Sequence, residues 1–252
     1  MASRECVGCG ILLTNDVITR EHILPRWLAE ELHLPGVSYK HYRHDEDAVR
    51  DELVRSHDLG SLAIKNVCSS CNSGWMASLE GRAKPTLLGL LNMKTTLLQM
   101  TEQERATVAA WAIKTAFMIA SAQPDISGLR WDLFRGLART PEQIPDECPV
   151  VAGQQDFLDG FMHSSRTDLS PSNGQAVQAR VGFSIRKLHF VVVIPFTAGQ
   201  RMVRTSGVHL PIWPLESEIL VRYAFFPTFS SPNDLINYLV DQVECGLLPD
   251  KK

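Results

Sequence analysis

Two C-x-x-C pairs, Cys6/Cys9 and Cys68/Cys71, separated by 58 residues, limit what this chain can fold into more than any other feature. Two residues between thiolates let both sulfurs reach one tetrahedral ion from a tight turn, and two such turns complete a four-cysteine site. A single pair is equally consistent with redox chemistry or coincidence. Two pairs, with no other cysteine in the first hundred residues and only Cys148 and Cys245 later, point to one structural Zn2+. Six cysteines in 252 residues are too few for a disulfide scaffold, which favours metal over cross-links. The ion would clip together the two ends of a long insertion, so the intervening chain is held near the second pair.

That insertion carries EHILP at residues 21–25, and the second pair opens CSSCNSGW at residues 68–75. Together these resemble the HNH endonuclease superfamily, in the branch whose ββα-metal motif carries two C-x-x-C zinc knuckles. The resemblance spans roughly residues 6–84 and implies a role for each matching position. Glu21 would bind a catalytic divalent ion and His22 would act as general base. Asn72, just after the second knuckle, would be a second ligand of that ion. In that family an Asn commonly sits several residues before the second knuckle and orients the base. Here the nearest is Asn66, two residues before Cys68, which is taken as its displaced counterpart with Lys65 and His57 as alternatives.

The chemistry of these side chains stands apart from the family name. Phosphodiester hydrolysis needs a base to activate water and a cation to stabilise charge on the phosphorane and leaving oxygen. An imidazole with an ordinary pKa near ~6.5 suits the first task at neutral pH. Hard oxygen donors such as Glu21 and Asn72 suit Mg2+ or Mn2+. Neighbours on an extended strand point to opposite faces, so Glu21 and His22 share a site only if the strand bends, and Pro25 marks the end of regular pairing. The plainer readings are a surface Glu beside a packed His, and Asn72 as a helix N-cap. Glu80 shares a helix face with Asn72 but would lie about 12 Å along a regular axis, so it reads as a structural acid paired with Arg26 or Arg82. Trp75, Met76 and Leu79 read as the core face of that helix, packing on Val67, Ile23 and Trp27.

Charge argues against indiscriminate nucleic-acid binding. The formal net charge is −3, from 25 basic and 28 acidic residues, with no basic excess in either part of the chain. Any grip on DNA must be local, weak or supplied by a partner. The ribbon-like stretch 37–57, with Tyr39, His41, Arg43 and further basic and aromatic side chains, is one place for it, although its acidic turn at residues 45–47 fits a solvated hairpin equally well. No stretch approaches the ~18 apolar residues of a membrane span and no signal sequence opens the chain, so a cytoplasmic, membrane-free protein is expected.

Beyond the motif, Lys84-Pro85 is expected to end the motif helix, with a short apolar helix after it. Thr101 to Glu104 forms a capping box ahead of a helix whose run from Val108 to Ala120 is apolar nearly all round and hence central. Pro141 marks a short helix. Residues 183–196 and 218–226 read as strands, 163–174 as a loop, and the segment from Ser231 through Val243 as a final helix. His163, His189 and His209 read as surface or core residues. The expectation is an α+β protein: a zinc-bound ββα unit over 1–84, joined to a mixed helix and sheet domain over 85–252. The second part is expected to supply substrate recognition, self-association or a partner surface.

Three functions follow. The first is a metal-dependent DNA endonuclease, of the kind the resemblance associates with bacterial or phage defence. The second is a zinc-dependent nucleic-acid-binding or adaptor protein without activity. The third is a protein that uses zinc only for structure or oligomerisation.

Overall fold

The computed structural model describes residues 4–31, 38–43, 52–58, 63–123, 126, 128–140, 143–154, 161–169, 174–198, 201–205, 210–213 and 243–247. It is a mixed α+β fold of helices and antiparallel sheets. The first strand, β1 (Ile18–His22), is followed by the short helix α1 (Arg26–Glu31) and by an antiparallel ribbon of β2 (Ser38–Arg43) and β3 (Glu52–Asp58). The expected ribbon is therefore present. Strand β4 (Ala63–Cys68) returns to pair antiparallel with β1.

A single helical turn, α2 (Ser69–Cys71), then widens through Asn72–Met76 into the long helix α3 (Ala77–Leu91). Gly74, with φ −90° and ψ −106°, leaves helical geometry inside the widened segment. Pro85 does not end α3 as expected. An interior proline costs about 3 kcal/mol, but Leu79, Leu87 and Leu90 are each fully buried on one face, and each contributes about 1.5–3 kcal/mol. Burial outweighs the lost hydrogen bond, so the helix crosses the expected boundary at 84/85 unbroken. Its buried face packs on α4 (Glu102–Ser121), whose N-terminus carries the expected capping box between Thr101 and Glu104.

Helix α4 is buried on every side from Val108 to Ala120 and is the centre of the core. It lies against a five-stranded antiparallel sheet in the order β10-β5-β8-β7-β6, built from β5 (Val150–Gln154), β6 (Phe161–Leu169), β7 (Ala176–Ile185), β8 (Leu188–Pro195) and β10 (Leu210–Trp213). Trp111 of α4 meets Phe183 and Phe190 edge-on at 5.9 and 5.8 Å. β9 (Arg201–Thr205) pairs with β11 (Val243–Leu247) in a separate ribbon. One hydrophobic core runs from Cys6 to Ile212, across both expected parts of the chain.

Several local expectations are corrected. Residues 183–196 form two strands rather than one, because the chain reverses at Arg186, which adopts φ 48° between β7 and β8. The stretch 163–169 is strand, not loop: β6 is at the end of the sheet order, where polar side chains are tolerated, and Asp168 binds Arg180 at 2.8 Å and Gln178 at 2.8 Å across to β7. The short helix is α5 (Trp131–Arg139), which precedes Pro141 and buries Leu133, Phe134 and Leu137. Val243 belongs to a strand; the expected strand 218–226, the rest of the final helix, and His209 lie outside the described residues. His189 is fully buried in the core sheet and His163 is half-buried on β6. No helix among the described residues is long and apolar enough to cross a membrane.

Candidate metal centre and adjoining cleft

The ligand sulfurs of Cys6, Cys9, Cys68 and Cys71 all lie within 4.8 Å of one another. Tetrahedral coordination with metal–sulfur bonds of about 2.3 Å gives sulfur–sulfur edges of about 3.8 Å, and Cys9 Sγ stands 3.7 Å from Cys68 Sγ. The first pair sits in a tight turn closed by hydrogen bonds from Cys6 N to Ile11 O and from Gly10 N to Cys6 O, both 2.8 Å. Gly10 has φ +80°, a conformation L side chains rarely adopt, and a Cβ on Gly8 would come within 3.0 Å of Cys71 Sγ. The second pair opens α2, where Cys68 Sγ accepts from Cys71 N at 3.4 Å. Cys68 N in turn donates to Cys6 Sγ at 3.3 Å.

Burial and neighbouring groups set the thiols of Cys6 and Cys71 apart in how readily they ionise. Burial opposes the Cys6 thiolate, but the backbone groups of Cys68, Cys9 and Gly8 outweigh it and bring that thiol down to about 7. Burial and the neighbouring Cys6 charge push Cys71 up. Four sulfurs this close can all be thiolates only if a cation sits among them. The four cysteines can therefore hold a metal ion.

Next in the chain to this centre is a cleft of about 390 Å³. β1 supplies Thr19, Arg20, Glu21 and His22 to it, the entry to α1 supplies Pro25, Arg26 and Trp27, and the helix after the second cysteine pair supplies Asn72 and Glu80. Glu21 and His22 thus line one cleft although they are neighbours on a strand. The β1–β4 register shifts once, between Thr19 and Glu21, where Lys65 and Asn66 stand opposite Arg20 alone, and the pairing ends at His22. The chain then bends, and Pro25 O starts α1 by accepting from Leu28 N at 3.0 Å.

Cys68, and not Asn72, is the N-cap of α2; Asn72 is its C-cap. Its amide Nδ2 donates to Arg20 O at 3.1 Å and Thr19 Oγ1 at 3.4 Å, tying the helix to β1. With the nitrogen turned to these acceptors, Oδ1 is the atom left for a ligand. His22 is half-buried, and burial, with Arg26 second, lowers its pKa from the ordinary 6.5, so the imidazole is neutral at pH 7.

Two assignments change in the structure. Asn66 is not among the residues lining the cleft. Its Nδ2 donates to Ser121 Oγ at 3.2 Å and its carbonyl accepts from Val7 N at 3.0 Å, so it joins the first cysteine turn to β4 and α4. Its place at the bulge in β4 points the side chain to the end of α4, and it has no direct hold on His22. Glu21, expected as a ligand of the catalytic ion, is only 4% exposed and forms an ion pair through Oε1 with Lys114. Glu80 also pairs with Lys114, at 2.8 Å, a partner other than the Arg26 or Arg82 expected for it. Burial alone would push Lys114 down, but Glu21 and then Glu80 hold it up. Burial raises Glu21, against the pull of Lys114 and with the repulsion of Glu80.

Lys114, which pairs with both acids of the cleft, was not among the residues expected there. Its signal was present: it is the one charged residue in the run Val108–Ala120, and a lysine inside a helix buried all round must find a carboxylate. Which carboxylates it finds depends on the packing of α4 against α3. Of the expected core contacts, Met76 and Leu79 are fully buried, and Trp75 packs edge-on against Phe134 of α5 at 5.3 Å. Lys84 lies over the Trp27 ring at 5.0 Å. Compared with protein-family models, curated proteins and solved structures, the chain matches none.

Proposed function

We propose that this protein is a metal-dependent endonuclease of the HNH type that hydrolyses DNA phosphodiester bonds. The observation that carries this reading is the convergence of Glu21, His22 and Asn72, from two distant segments, on one cleft beside a four-cysteine centre. The cysteine centre holds structural Zn2+, a borderline-soft ion suited to four thiolates. Asn72 Oδ1 and the Glu21 carboxylate would hold Mg2+ or Mn2+, which would supply charge stabilisation at the reacting phosphate.

His22 accepts a proton from a water as the water oxygen bonds to phosphorus. The bond from phosphorus to the 3′ oxygen breaks, leaving a 5′ phosphate and a 3′ hydroxyl that takes its proton from solvent. Arg20 and Arg26, both lining the cleft, supply the local positive charge that the chain as a whole lacks. Nicking of supercoiled plasmid in Mg2+ or Mn2+ by the wild type, and its loss in a His22→Ala protein with unchanged fold and zinc content, tests the proposal.

A second reading has its own support. The hold of Lys114 on Glu21 and the distance of Asn66 from the cleft fit a zinc-dependent nucleic-acid-binding protein without hydrolytic activity. In that case both proteins bind duplex and neither nicks it. A protein that uses zinc only for structure would do neither.

A further inference from the structure

Lys114 comes from a helix outside the segment that carries the motif, yet its ammonium bonds the two carboxylates of the cleft, Glu21 and Glu80. Its side chain is fully buried while that of Glu80 is 20% exposed, and the two acids line the cleft whereas Lys114 does not. The lysine therefore stands behind the carboxylates and neutralises them from within. By formal charge the three groups carry one net negative charge, and Asn72 adds none. A divalent ion meeting the same carboxylates from the cleft would share them with a cation that cannot diffuse away, and like charges this close repel.

We propose that Lys114 is a positioning residue that, as a tethered counter-cation, keeps the cleft's affinity for a divalent ion low until a phosphodiester adds its own negative charge. This rests on the reading of the cleft as a divalent-ion site. Ion and nucleic acid then assist each other's binding, and by linkage each strengthens the other by the same factor. The cleft stays unloaded between encounters with substrate, and α4 connects its readiness to the packing of the second part of the chain.

The test measures free Mn2+ by electron paramagnetic resonance as it is titrated into full-length protein with its four-cysteine site loaded with zinc. His22→Ala is present throughout to prevent turnover. Lys114→Met should bind Mn2+ about tenfold or more tightly without duplex, and Glu80→Gln should bind it more weakly than the parent. A DNA duplex should tighten Mn2+ binding in the parent and have a smaller effect in Lys114→Met. Unchanged or weaker Mn2+ binding by a folded Lys114→Met protein overturns the proposal, as does a duplex effect that is absent from the parent.

If Lys114→Met does not fold, the double variant Lys114→Met/Glu80→Gln restores the parent's formal charge. It should then match the parent's Mn2+ affinity within about threefold, and a gap of about tenfold or more overturns the proposal. The two readings fail separately. Tighter Mn2+ binding in Lys114→Met with no nicking by the wild type keeps the role of Lys114 and removes the nuclease. Nicking by the wild type with no gain in Lys114→Met does the reverse.

Discussion

The four-cysteine centre and the cleft beside it both gather acidic groups from distant parts of the chain, and they neutralise them in opposite ways. Among the described residues the cysteine sulfurs are bonded chiefly to one another's backbone, as Cys6 Sγ accepts from Cys68 N and Cys68 Sγ from Cys71 N. A metal ion held among the four can balance their charge. The cleft acids have a cation built into the fold, Lys114 of α4. One site can hold a metal ion among its sulfurs, while the other is assembled by packing around a resident cation.

The largest effect that could break this contrast is loss of the cysteine centre. Cys68→Ser, or removal of metal with a chelator, should cost several kcal/mol, read as a fall in Tm together with loss of bound metal. An unchanged Tm would mean that the cysteines pack as ordinary core thiols. Next is Lys114→Met, which leaves Glu21 buried without its cation and should cost about 3–5 kcal/mol in denaturant unfolding. The same protein should keep its bound metal, since the cysteine cluster does not include Lys114. Metal loss in that variant would merge the two sites into one.

Smaller effects sharpen the contrast. Asn66→Ala should cost about 1 kcal/mol through its lost bond to Ser121, without changing nicking per folded molecule. A large catalytic loss there would restore Asn66 to the site. The rate of nicking should depend on neutral His22. Its pKa in the fold is lowered, so activity is full at neutral pH and is lost only as pH falls through a value below the ordinary 6.5. Arg26→Ala removes a neighbouring positive charge and should move that acid limb upward. A limb that does not respond to Arg26 would assign the titration to another group.

What could be read from the sequence divides along the same line. The cysteine centre was legible because ligand spacing is written locally, as two residues between the sulfurs of each pair. The α+β class, the β2–β3 ribbon and the capped central helix were legible from alternation and from the Thr101–Glu104 signal. Lys114 was not placed, because the pairing of a buried lysine is decided by how α3 packs on α4. The persistence of α3 through Pro85 was missed for the same reason, since leucine burial outweighs local propensity. The β7–β8 turn at Arg186 and Lys187 carries neither Gly nor Asn, so no turn signal announced it. β6 looked like a loop because a strand at the end of the sheet can be rich in Ser, Thr and Asp.

Plasmid nicking by wild type and His22→Ala, each with equal zinc content and the same circular dichroism, tests the central claim most directly. The wild type should nick in Mg2+ or Mn2+ and His22→Ala should lose about 10²–10⁴ in rate. Equal nicking by both proteins, or none by the folded, zinc-loaded wild type, would contradict it.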